Sequence, residues 1–154
     1  MSTSPADLQI IIGKRPFRVW KGVGSFMLFE FGRPRRKEDG SRTGTFTLWI
    51  YMAEWTIRKA RRELAHSESS DTTIHRAAET LTNKKVESAF LTTFVAKRQV
   101  RHGAAFRFEG GYILRAWAYV RGEDDEEVFF LYSPDACIFY RRDGTLSSQS
   151  IERA

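Results

Sequence analysis

The sequence predicts an α+β domain: a mainly antiparallel sheet of about eight or nine strands with one helix packed on it. Three observations carry this. Aromatic residues make up 14% of the 154 positions, with 12 Phe, 5 Tyr and 4 Trp, and flat rings pack well on a pleated, half-buried surface. Short apolar runs alternate with Gly, Pro and charge clusters, the rhythm of successive strands joined by turns. One segment, 71–81, carries a clean helical stripe. No strand–helix–strand alternation runs through the chain, which argues against a doubly wound nucleotide fold. The length fits one domain over 1–154, with the polar ends 1–9 and 147–154 read as frayed tails.

Segments 17–21 and 26–31 flank Gly22-Val23-Gly24-Ser25, a turn whose glycines can adopt the positive φ that tight hairpins need. Residues 33–42 are rich in Arg and Lys and read as an exposed loop, since nothing there is buried cheaply. In 45–52, Phe46, Leu48, Ile50 and Met52 alternate with Thr45, Thr47, Trp49 and Tyr51, giving a strand with one strongly apolar face. Residues 55–58 form the next strand. The stretch 57–65 fits helix or strand, because Ile57, Ala60, Leu64 and Ala65 keep helical spacing while Arg61 interrupts the stripe.

Asp71 is the expected cap of helix 71–81, where Ile74, Ala77, Ala78 and Leu81 fall at i, i+3, i+4 and i+7. Strands follow at 86–94, 104–108 and 112–119, the last two joined by Glu109-Gly110-Gly111. The run Glu123-Asp124-Asp125-Glu126-Glu127 reads as a loop, because five like charges repel one another in any packed setting. Strands 128–132 and 137–141 flank the turn Ser133-Pro134-Asp135-Ala136, and Asp143-Gly144 makes the final turn.

The formal charge is +6 at pH 7, and removing the five acids of the 123–127 run leaves +11. Such an excess attracts nucleic acid or an acidic protein surface, although an acidic loop that balances a solvated basic surface is the plainer reading. A single cysteine, Cys137, excludes an intramolecular disulfide and suits a reducing compartment. No targeting or membrane-spanning stretch is recognised, so a cytoplasmic protein with no membrane partner is expected.

Catalytic motifs are sparse. His66, His75 and His102 have no ligand-like spacing with one another or with Cys137, so no metal or cofactor is expected. There is no Gly-x-Ser-x-Gly elbow, and Cys137 sits in an apolar strand where a thiol is inert packing. Gly22-Val23-Gly24 lacks the Gly-Lys-Ser/Thr and the helix start of a phosphate loop. The adjacent acids of the 123–127 run are too well hydrated for acid–base work.

Binding is the class that remains. The first reading is a non-enzymatic protein-binding domain with an unidentified protein partner. Its contacts are Arg33, Arg35, Arg36 and Arg42 in one loop and Glu123, Asp124 and Asp125 in the other. Aromatic anchors are sought among Trp20, Trp49 and Trp117. The alternative is sequence-tolerant nucleic-acid binding through Arg36, Arg58, Arg62, Arg98 and Arg101, drawn from three basic clusters. It requires those clusters to share one face beside Trp49, Tyr51 or Trp55, so that bases stack while phosphates meet cations.

A resemblance adds to this reading. Trp55-x-Ile57, Leu64-Ala65-x-Ser67-Glu68-Ser69, the Ile74 helix and Phe106-Arg107-Phe108-Glu109-Gly110-Gly111-Tyr112-Ile113-Leu114 occur in order. Leu131-Tyr132-Ser133-Pro134 and Arg142-Asp143-Gly144-Thr145-x-Ser147 follow. Together they resemble a group of small, functionally uncharacterised bacterial proteins with a Phe-x-Phe-Asp-x-Gly-x-x-Leu hairpin and a Trp-x-Leu-Tyr-x-Pro strand. Here Glu109 stands for the Asp, and Phe129 or Phe130 for the Trp. The resemblance implies no catalytic residue. In style it is similar to toxin-immunity proteins, which act by covering a partner.

Overall fold

The computed structural model describes residues 2–119 and 126–151. In chain order the strands are β1 (Pro16–Lys21), β2 (Met27–Phe31), β3 (Arg35–Arg36), β4 (Arg42–Thr43), β5 (Phe46–Ile50), β6 (Ala53–Lys59) and β7 (Arg62–His66). Helix α1 (Asp71–Leu81) follows, and then β8 (Val86–Ala96), β9 (Gln99–Phe108), β10 (Tyr112–Ala118), β11 (Glu127–Tyr132), β12 (Ala136–Arg141) and β13 (Leu146–Ser150). All strand pairings are antiparallel.

The antiparallel character agrees with the sequence, but the strands do not make one sheet. They divide into a six-stranded sheet in the order β1-β2-β5-β11-β12-β13, a five-stranded sheet in the order β7-β6-β10-β9-β8, and a small β3–β4 hairpin. Geometry explains the division. A helix is about 10 Å across and neighbouring strands lie about 4.8 Å apart, so one short helix covers only two or three strands. The other apolar faces must cover each other. Phe29 stacks on Phe108 and Phe106 meets Phe129 edge-on, each pair 5.9 Å between ring centroids and drawn from opposite sheets. Trp55 is fully buried in the same core, and its indole N–H donates to the Ser25 carbonyl of the β1–β2 turn at 2.6 Å.

Helix α1 packs against β1 and β7, which are edge strands of the two sheets, and so closes one side of the sandwich. It buries Ile74, Ala77, Ala78 and Leu81, the stripe read from the sequence. Its cap is Ser70 rather than Asp71. The Ser70 hydroxyl accepts from the Thr73 amide at 3.3 Å, while Asp71 becomes the first helical residue and pairs with Lys21 at 3.5 Å. A carboxylate in the first turn still suits the helix dipole.

Residues 57–65 resolve as a hairpin. Ile57 lies opposite Ala65, and the chain reverses at Ala60 with φ of 53°. Neither end behaves as a frayed tail over the described residues. Thr3 exchanges two backbone hydrogen bonds with Leu91, at 2.8 and 2.7 Å, and the 3-10 turn Ala6–Ile11 buries Leu8 and Ile11. Strand β13 pairs with β12, and its Ser and Gln side chains suit an edge that faces water. Two acids of the 123–127 run are also ordered by partners rather than held apart. Glu127 begins β11 opposite Arg141, and Glu126 pairs with Arg142 at 3.8 Å. Among the described residues no helix is long and apolar enough to cross a membrane.

The shared core has a direct consequence. Phe129→Ala removes a fully buried ring that touches both Phe106 and Tyr140, and should cost about 3–5 kcal/mol in urea unfolding. A cost below about 1 kcal/mol would contradict the packing of one sheet on the other.

Candidate functional site

Side chains alternate between the two faces of a strand, so every core residue of the six-stranded sheet has an outward neighbour. In β2, Met27, Phe29 and Phe31 point inward, which turns Leu28 and Glu30 outward. In β5, Leu48 and Ile50 are buried, which turns Thr47 and Trp49 outward. Register then aligns these outward residues across strands. Trp20 lies opposite Leu28, Leu28 opposite Trp49, Trp49 opposite Phe130 and Phe130 opposite Phe139. One row of rings therefore crosses the outside of the sheet. A second, polar row runs beside it: Arg18, Glu30, Thr47, Tyr132 and Cys137, each opposite the next. Rings outside a core need cover. Trp49 finds part of it against Phe26, Tyr51 and Phe130, at 5.7, 5.1 and 5.6 Å.

The β3–β4 hairpin stands over this face, held by a buried carboxylate. Glu30 is 3% exposed, and its Oε2 accepts from the Gly44 amide at 2.7 Å, the Thr47 hydroxyl at 2.8 Å and the Thr43 hydroxyl at 3.2 Å. Gly44 makes the approach possible. A Cβ there would lie 2.3 Å from the Phe31 carbonyl oxygen, a distance no side chain tolerates. A second carboxylate shapes the hairpin tip: Asp39 accepts from the hydroxyl and amide of Ser41 at 2.6 and 2.9 Å. Those bonds, the hydroxyl first, hold its pKa below the ordinary carboxylate range.

Between hairpin and sheet lies an open cleft of about 1030 Å³. Its floor is formed by Trp20, Leu28, Trp49 and Tyr132, and its basic wall by Arg18, Arg35 and Lys37. Arg42 borders it differently. It lies opposite Arg36 in the hairpin register, and its carbonyl accepts from the Arg18 guanidinium at 3.5 Å. Arg18 also stacks over the Trp20 ring at 4.4 Å. Two donors are left over. The indole N–H groups of Trp20 and Trp49 are buried and have no acceptor among the described residues. The other two tryptophans are satisfied, Trp55 by Ser25 and Trp117 by Glu54 at 3.1 Å.

Burial pushes up the pKa values of Cys137 and Tyr132, so the thiol stays protonated and weakly nucleophilic near neutrality. Among the described residues no three His, Cys, Asp or Glu side chains gather as a metal site.

The residues singled out from the sequence scatter. Of Arg33, Arg35, Arg36 and Arg42, the cleft is lined by Arg35 and Arg42; Arg33 is exposed, and its amide donates to Thr45 at 3.1 Å. Glu123, Asp124 and Asp125 lie outside the described residues. The set Arg36, Arg58, Arg62, Arg98 and Arg101 does not share a face. Arg36 belongs to the hairpin beside the six-stranded sheet. Arg58 and Arg62 flank the β6–β7 turn, whereas Arg98 and Arg101 belong to the β8–β9 turn at the opposite end of the five-stranded sheet. Register puts the two ends about 30 Å apart. Trp117 packs on Phe94 at 5.5 Å, on the five-stranded sheet and away from the cleft. Sequence reading missed Arg18, Lys37, Trp20 and Trp49 as a group. For Arg18, Trp20 and Trp49 the signal is positional, each being next to a buried residue of its own strand, Val19 or Leu48; Lys37 lies outside any strand and carries no such signal.

Compared with family models, curated proteins and solved structures, the chain finds no match.

The Glu30 tie is testable. Glu30→Ala strands the Gly44 amide and both threonine hydroxyls, and should cost about 1–3 kcal/mol while speeding hydrogen exchange at Gly44. Unchanged exchange at Gly44 would show that the hairpin is held by something else.

Proposed function

We propose that this chain is a non-catalytic binding domain that takes an anionic partner in the cleft beneath the β3–β4 hairpin. One observation carries the reading: four cationic residues, Arg18, Arg35, Lys37 and Arg42, line a cleft floored by half-buried rings. Cations beside apolar walls focus the field on the space between them and raise the local concentration of an anion. The two carboxylates of the cleft are already committed to hydrogen bonds, Glu30 between sheet and hairpin and Asp39 within the hairpin tip, so they hold the wall in place and blunt its charge only partly.

A protein partner, as the resemblance to immunity-like proteins suggests, is a second reading with its own support. Val95 and Val100 face each other across the β8–β9 tip and are 78% and 68% exposed, an apolar contact that a protein interface could cover.

Charge reversal on the two faces of one hairpin tests the first reading. Arg35→Glu with Lys37→Glu changes the cleft wall; Arg33→Glu with Arg36→Glu makes the same change in net charge outside the cleft. Titration with heparin, polyglutamate and an oligo-dT, followed by tryptophan fluorescence, should show about a tenfold loss for the first pair and about a twofold loss at most for the second. Equal losses in both pairs would mean that affinity follows net charge and not the cleft.

A further inference from the structure

We infer that the cleft is a binding site for single-stranded nucleic acid, with bases on the Trp20–Trp49 row and phosphates on Arg18, Arg35 and Lys37. This rests on the anion-binding reading of the same cleft and names the class of anion. The floor decides between the candidates. An acidic peptide would use the cations but would leave ring faces with no flat partner. A nucleobase uses both, because every base has a π-face and stacking on aromatic side chains is tolerant of sequence.

The geometry suits more than one base. Trp20 and Trp49 lie in β1 and β5 with only Leu28 of β2 between them, so their backbones are about 10 Å apart on one face. The Trp20 ring already carries a flat cation, the Arg18 guanidinium at 4.4 Å. Guanidinium planes stack on bases as readily as rings do, so Arg18 can move from ring to base without losing a π contact. A duplex fits poorly, because its bases are already stacked on one another and show the protein only their edges.

Fluorescence anisotropy with a labelled dT strand of about 10 nucleotides tests the inference. The same strand with abasic sites, polyglutamate and a duplex of equal length serve as the other arms. The dT strand is expected to bind about tenfold or more tighter than the abasic strand. Its log K should fall with log salt at a slope near −2, since three phosphate contacts contribute about −0.7 each. Trp20→Ala should erase most of the preference for dT over the abasic strand, and Trp49→Phe, which keeps a ring, should retain it. Equal binding of dT and abasic strands, or tighter binding of polyglutamate, overturns the nucleobase assignment and leaves the anion-binding reading standing. Failure of every polyanion overturns both. If Trp20→Ala does not fold, the dT-against-abasic comparison on the unaltered chain decides the matter alone.

Discussion

A carboxylate on the outside of a sheet is ordinarily met by water; Glu30 is met by protein. Removing a charge from water is costly unless donors replace the lost hydration. The Gly44 amide and the Thr43 and Thr47 hydroxyls do so, and all three bonds converge on one oxygen. The arrangement fixes where β4 can lie, and β4 fixes β3. Because β3 alternates, placing Thr43 against Glu30 directs Arg35 and Lys37 over the sheet and sends Arg36 away from it. A short basic segment, otherwise a solvated loop, thereby becomes a wall.

The aromatic floor beneath that wall arises from a different constraint. The core between the sheets consumes Phe29, Phe31, Trp55, Phe106, Phe108, Phe129 and Tyr140. Phe46 packs against the same core, whereas Trp20, Trp49, Phe130 and Phe139 fall in the alternate phase and lie on the outside of the six-stranded sheet. They reduce their contact with water by packing edge to face along the cross-strand rows, as Trp49 does with Phe26 and Tyr51. The high aromatic content thus serves two surfaces, one sealed by the second sheet and one facing the cleft.

Much of the secondary structure was legible in the sequence because it is encoded locally. The 71–81 stripe, the alternation around Leu48 and the Glu109-Gly110-Gly111 turn each lie within a few residues. The helix cap slipped by one position because Ser70 and Asp71 are both competent caps, and the hydroxyl at Ser70 is the one that reaches the Thr73 amide. The second sheet was not legible. Whether two strands share a sheet depends on pairing across long sequence separations, and β5 and β6 part company although only Tyr51 and Met52 intervene. The candidate site was less legible still. Trp20, Leu28 and Trp49 sit in three strands and meet only through register. Sequence neighbours in one basic cluster also part company: Arg35 lines the cleft and Arg36 does not.

The chain carries its own control for the central claim. Of its four indole N–H groups, those of Trp55 and Trp117 already have acceptors inside the fold, and those of Trp20 and Trp49 have none among the described residues. The most direct measurement is a nitrogen–proton correlation spectrum of the four indoles, recorded while the dT strand is added. The expected result is that the Trp20 and Trp49 signals move as the strand saturates the protein while those of Trp55 and Trp117 hold still. Saturation that leaves Trp20 and Trp49 unmoved, or that shifts Trp117 instead, would contradict the cleft as the site of binding.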